Sequence, residues 1–180
     1  TVFGKWTENN KLAEIPENYA ADQFSLVVDE LTKLGFEQYE ISNFAKDKSY
    51  AVHNTSYWMG EEYLGVGPSA HSFNGDSRQW NIPNNQNYMR TVEEGKLDYE
   101  REVLSINDKV NDYLLTGLRT IWGVSLSKIS QISAEIPTEF RDTLKILKQQ
   151  NLIVEDRNQI IIPEKSRILS DRIASDLFWT

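Results

Sequence analysis

The residues with the clearest capacity for chemistry are the two histidines, His53 and His71, which share one aromatic stretch. His53 opens the run HNTSYW, His53 to Trp58, and His71 lies in YLGVGPSAHSF, Tyr63 to Phe73. Tyr57, Trp58 and Tyr63 precede the Gly65-Val66-Gly67 turn, and Phe73 follows it. A neutral imidazole can ligate iron while flat rings pack a planar organic ligand. The plainer reading makes His53 an ordinary loop histidine and Tyr57 and Trp58 simple packing residues. Glu40 and Asn43, at the end of a predicted strand, either shape a pocket or leave Glu40 paired with a neighbouring base. Two histidines without a closely spaced third ligand do not make a zinc site. A Gly-Val-Gly turn followed by Pro68 lacks the spacing and the lysine of a nucleotide-binding loop.

The elements that position these residues follow from periodicity and punctuation. Ile15-Pro16-Glu17 opens a helix with Phe24, Val27, Val28, Leu31 and Leu34 at helical spacing, and Gly35 ends it. Phe36 to Ser42 reads as a strand, so the helix–Gly–strand order predicts one step of a parallel α/β unit. Ligands of such sheets sit beyond the C-terminal strand ends, where Ser42, Asn43 and Phe44 fall. A loop from Lys46 to Ser56 then carries HNTSYW to the same rim. Tyr63 to Ser69 reads as a short strand into a glycine turn, and 74–87, rich in Asn with Gly75 and Pro83, as loop. A short helix from Asn87 to Glu94 stops at Gly95, and a charged linker follows to Ile106.

Beyond that linker the pattern changes to helix, helix, helix, hairpin. Helices are predicted over 107–122, from a Ser125 cap, and from Pro137. Leu152-Ile153-Val154 and Ile160-Ile161-Ile162 form the hairpin, and Pro163 begins a closing helix. The domain reading is therefore 1–95, a linker at 96–106, and a winged-helix-like domain at 107–180. Charge divides the same way: residues 1–106 carry 9 basic against 17 acidic residues, and 107–180 carry 10 against 10. An acidic first part disfavours nucleic acid, and the third helix lacks a concentrated basic face. The chain contains no cysteine and no apolar run of the ~20 residues a transmembrane span needs. With no secretion pattern either, the expected location is cytoplasmic.

QYEISNFA (Gln38 to Ala45), HNTSYW and GVGPSAHS together resemble the radical S-adenosylmethionine proteins around oxygen-independent coproporphyrinogen III oxidase. Within that family the HNxxYW pattern resembles the heme chaperones, since the matching loop of the oxidase branch lacks it. The resemblance implies an α/β fold, α+β overall: the C-terminal part of a partial (β/α) barrel, then the winged-helix-like domain. It implies that His53 is the axial ligand to heme iron, with Asn54, Tyr57 and Trp58 completing the heme site. His53 would then need an acceptor on its second ring nitrogen. It also implies that the backbone at Ala70 and the side chain of His71 meet S-adenosylmethionine. The family's CxxxCxxC motif for its [4Fe-4S] cluster lies upstream of QYEISNFA and is absent here, so the chain is expected to be a C-terminal fragment. A small protein complete without that half is the alternative.

Three functions remain open at this level. The first is the C-terminal region of a heme chaperone that binds heme or porphyrin and passes it to acceptor hemoproteins. The second is the same region of a coproporphyrinogen III oxidase, and the third is a winged-helix interaction module. In the first two cases the chain alone is expected to cleave no S-adenosylmethionine, because a cluster needs thiolates. Its further partners would be the missing N-terminal half of the barrel or, through the exposed barrel edge, a second copy.

Overall fold

The computed structural model describes residues 1–12 and 16–180. After a short helix α1 (Val2–Glu8), helix α2 (Glu17–Lys33) begins with Pro16 at its N-cap and runs to Leu34. The predicted start at Ile15 lies outside the described residues. Gly35, at φ +82°, turns the chain into strand β1 (Phe36–Glu40). The helix–Gly–strand order therefore stands. The parallel partner does not: β1 pairs antiparallel with β2 (Asn43–Lys46), which places Asn43 and Phe44 inside a hairpin.

The HNTSYW run is helical and not a loop, forming most of α3 (Val52–Met59), which Gly60 ends at φ +71°. The region read as loop at 74–87 is also ordered differently. Strands β3 (His71–Phe73) and β4 (Ser77–Asn81) make a hairpin around Asn74-Gly75-Asp76, where the Asn74 side-chain oxygen accepts from the backbone N–H groups of Asp76 and Ser77. Part of the expected linker is β5 (Tyr99–Val103), the third strand of this antiparallel sheet, after helix α4 (Asn85–Glu93). Its cross-strand partners explain why the run is charged: Arg78 lies opposite Glu102, and the Trp80 indole N–H donates to Glu100 at 2.9 Å.

The second half follows the predicted order. Ser105 and Asp108 form a reciprocal capping box at the start of α5 (Ile106–Gly117), which is shorter than the 107–122 expected because the chain turns at Gly117. Ser125 caps α6 (Leu126–Ile132), and Pro137 precedes α7 (Thr138–Gln149). The hairpin is β7 (Val154–Asp156) with β8 (Gln159–Ile161), slightly displaced from the expected residues. A two-residue strand β6 (Val124–Ser125) joins the other side of β8. The closing segment starts as a 3-10 turn (Glu164–Leu169) and becomes α8 (Ser170–Asp176).

The whole is α+β, and every strand pair among the described residues is antiparallel. One apolar core joins Val110, Leu114 and Leu118 of α5 and the turn after it to Ile129, Phe140, Leu144, Ile160, Ile173 and Leu177. No described helix is long and apolar enough to cross a membrane.

Candidate functional site

Helix α3 presents two working faces, set by the four-residue spacing that brings side chains together on a helix. On one face, Asn54 donates its side-chain amide to the Asn43 oxygen at 3.1 Å, and the Asn43 amide in turn donates to the Glu40 carboxylate. Glu40 is almost fully buried. Its other oxygen takes Nε of Arg119 at 3.1 Å and a terminal guanidinium nitrogen at 3.0 Å. The Ser42 N–H adds a bond to the carboxylate at 2.9 Å, so both of its oxygens are occupied. Arg119 reaches Asp171 at 2.6 Å and stacks its guanidinium 5.2 Å from the Trp58 ring. Asn54 and Trp58 are thus tied to one buried ion pair, and through it to the turn after α5. Of the two readings of Glu40, pairing with a base is the one realised, and Arg119 is its partner. Sequence reasoning missed Arg119, which lies far from the motif along the chain and follows the core residue Leu118 without a signal of its own.

On the other face His53 and Tyr57 are exposed, with their rings 4.8 Å apart and edge to face. The ring series continues from Tyr57 to Tyr63 at 4.6 Å and from Tyr63 to Phe73 at 6.1 Å. Burial and the neighbouring Tyr57 both push the Tyr63 phenol above its ordinary pKa, so it stays a neutral hydrogen-bonding ring at physiological pH. Among the described residues no hydrogen bond reaches the His53 ring, so the second-nitrogen acceptor expected for a ligating histidine is not provided. The donor set nevertheless suits a flat metalloporphyrin: an accessible imidazole beside a run of aromatic rings.

His71 stands apart from this series. It sits at the start of β3 with its ring 6.0 Å from that of Trp80 across the hairpin. The glycine turn before it is held from several sides. The Gly67 N–H donates to the Tyr88 hydroxyl at 3.1 Å, and the Asn81 amide donates to the Gly67 carbonyl at 2.8 Å. A Cβ on Gly65 would lie 2.1 Å from the His71 carbonyl oxygen, so only glycine permits this close pass. Ala70 donates its N–H to Gly67 and accepts from Asn81, which occupies both of its backbone groups. The Ala70 backbone expected to meet a cofactor is therefore already hydrogen-bonded within the fold.

The described residues hold no group of three or more His, Cys, Asp or Glu placed to bind a metal ion, and without cysteine the chain has no thiolate for a [4Fe-4S] cluster.

No family model matches the chain. Its sequence does match curated proteins along nearly all its length. It is 26% identical over 175 residues to the heme chaperone HemW of Bacillus subtilis, covering 96% of this chain and 46% of that protein. It is 30% identical over 169 residues to the mitochondrial radical S-adenosyl methionine domain-containing protein 1 of Bos taurus, covering 87% of this chain and 38% of that one. In structure it is similar to coproporphyrinogen III oxidase (HemN) from Escherichia coli, a radical SAM enzyme, with a TM-score of 0.69 at 21% identity, over 91% of this chain and 42% of that one. The chain is thus similar in sequence to heme chaperones and radical S-adenosylmethionine domain-containing proteins, and its fold is that of the matching part of HemN. It spans less than half the length of the curated relatives compared here.

Proposed function

We propose that this chain is the heme-holding region of a radical S-adenosylmethionine heme chaperone, and that His53 supplies the axial ligand to the iron. The observation that supports the reading is the division of α3: Asn54 and Trp58 are engaged by Asn43 and Arg119, while the exposed His53 ring has only the Tyr57 ring beside it. The Glu40–Arg119 pair anchors the helix that carries this imidazole, and the ring itself is left open to an iron. Asn54 and Trp58 enter the heme site as its support. Heme, once bound, would be passed on to acceptor hemoproteins, for which an open and accessible ligand is suited. Ala70 and His71 are the candidate contacts for S-adenosylmethionine, whose cluster would depend on cysteines supplied outside this chain.

Titration with ferric heme, followed by visible absorption, tests the assignment. The protein should give the spectrum of imidazole-ligated iron, and His53→Ala should lose it while retaining weaker association through the rings. His71→Ala should behave as the parent. Loss of the spectrum in His71→Ala with none in His53→Ala would exchange the two roles, and no change in either would leave α3 without a heme function.

A further inference from the structure

Strand β5 closes the β3–β4–β5 sheet on one side, and among the described residues no strand lies beyond it. Its register with β4 is unbroken from Asn81 opposite Tyr99 to Ser77 opposite Val103. The Asp98 carbonyl accepts from the Ile82 N–H, and the Leu104 N–H donates to Asp76, so the even-numbered residues turn their backbone groups towards β4. The alternation of an antiparallel ladder then leaves the N–H and C=O groups of Tyr99, Arg101 and Val103 pointing outwards. Every residue of the strand is exposed, and neither a proline nor a bulge interrupts its edge. Glu100 and Glu102 share one face of it, and Asp98 precedes them at the same spacing. Glu100 takes only the neutral Trp80 N–H, and Glu102 lies 3.9 Å from an Arg78 that is already paired with Asp112, so the row stays acidic. On the other face Arg101 donates its Nε to the Ser77 hydroxyl at 3.1 Å, between the exposed side chains of Tyr99 and Val103.

We propose that β5 takes an added strand from a partner protein, an extended segment with lysine or arginine at alternate positions. The outward backbone groups of Tyr99, Arg101 and Val103 continue the sheet into that segment, as in strand addition to an open edge. Partner residues opposite Glu100 and Glu102 fall at the sites without hydrogen bonds, where facing side chains come closest and opposite charges count most. The partner residues between them meet Tyr99 and Val103, which suits valine or threonine. A second copy of this chain does not fit the same edge. Two copies related by a two-fold axis pair antiparallel, with each residue opposite one on the same face. Centring the pair on 100 or 102 sets a glutamate against itself, and centring it on 101 sets Arg101 against itself and Glu100 against Glu102. Each of these is a like-charge pair that destabilises the ladder. The occupant must bring the opposite sign.

The test uses a capped synthetic peptide that alternates lysine and valine, labelled for fluorescence anisotropy. It should bind the parent, and a peptide with glutamate in place of each lysine should not. Gathering the lysines into one block keeps the charge and removes the spacing, and methylating the valine nitrogens removes the donors that face β5. Each change should weaken binding about tenfold. Glu100→Gln combined with Glu102→Gln should do the same. Val103→Pro takes away one outward N–H and leaves the ladder with β4 intact, so it should fold as the parent does and bind about tenfold more weakly. Circular dichroism and the thermal midpoint check that fold. Equal binding of the alternating and blocked peptides, or equal binding by the parent and the double glutamine variant, would overturn the proposal. So would self-association of the parent that Val103→Pro abolishes, which would give the edge to a second copy. No heme enters the experiment, so its outcome is separate from that of the His53 assignment.

Discussion

At the scale of single residues, the six-residue run from His53 to Trp58 combines two kinds of side chain that a motif alone does not separate. Asn54 and Trp58 serve a buried carboxylate and its arginine, and His53 and Tyr57 serve the solvent side. The stability effects of substitution should divide accordingly. His53→Ala, at an exposed position without a hydrogen-bond partner, should change unfolding free energy by no more than about 0.5 kcal/mol. Arg119→Ala leaves the Glu40 carboxylate buried with only its two local donors, and should cost about 3 kcal/mol. Urea unfolding of the two variants beside the parent measures both. An Arg119→Ala chain as stable as the parent would mean that the ion pair does not hold α3 in place. The aromatic character of the run was legible in sequence, but its helical state was not. His, Asn, Thr and Ser are weak helix formers, and the tertiary anchors at Asn54 and Trp58 override that preference.

At the scale of elements, the glycine turn and the hairpin behind it form one assembly. Gly65 passes so close to His71 that any side chain must push the two backbones apart. Gly65→Ala should therefore cost about 3 kcal/mol, towards the upper end for single substitutions, and should shift the NMR resonances of His71 and Phe73. A variant with the parent's melting temperature would show that the close pass is relaxed in solution. Helices α2, α6 and α7 were readable because apolar spacing coincides with punctuation, Gly35 after α2, Ser125 before α6 and Pro137 before α7, whereas α5 was read from its apolar spacing and its Ser105 cap was missed. The sheet β3–β4–β5 was not readable. Its strands are held by polar cross-strand pairs such as Trp80 with Glu100, and they lack the apolar alternation that marks a strand. Asn74-Gly75 was a correct turn signal inside a stretch too rich in other turn residues to be singled out.

At the scale of the whole molecule, α5 and the turn after it join the first half of the chain to the second. Val110, Leu114 and Leu118 enter the C-terminal core, while Lys109, Asp112 and Arg119 bind Asp76, Arg78 and Glu40 on the other side. Arg167 adds a bond from its guanidinium to the Gln38 carbonyl at 2.7 Å. The seam also includes the Tyr39, Tyr50 and Trp122 rings, and its ionic part should respond to acid. Lys109 holds the Asp76 carboxyl below its ordinary value of 3.8, and the Ser105 hydroxyl and N–H do the same for Asp108. A depressed carboxyl gives stability that is complete above the ordinary value and is lost as pH falls through the lowered one. Stability should thus decline more steeply below about pH 4 in the parent than in Lys109→Met. Urea midpoints measured down that range, with a carbonyl NMR titration of Asp76, provide the check; identical slopes would show that the pair contributes nothing. Leu114→Ala, at a fully buried position, should cost about 3 kcal/mol at any of these pH values.

Because a single helix serves both halves, their cooperativity is expected to be one-sided. Opening the C-terminal core removes α5, and with it every ionic partner that the first half finds there. Opening α2 or the β1–β2 hairpin leaves the core of α5 to α8 with its own apolar contacts intact. Amide hydrogen exchange should accordingly show the first half fraying in sub-global events that the second half survives, and no populated state with the reverse pattern.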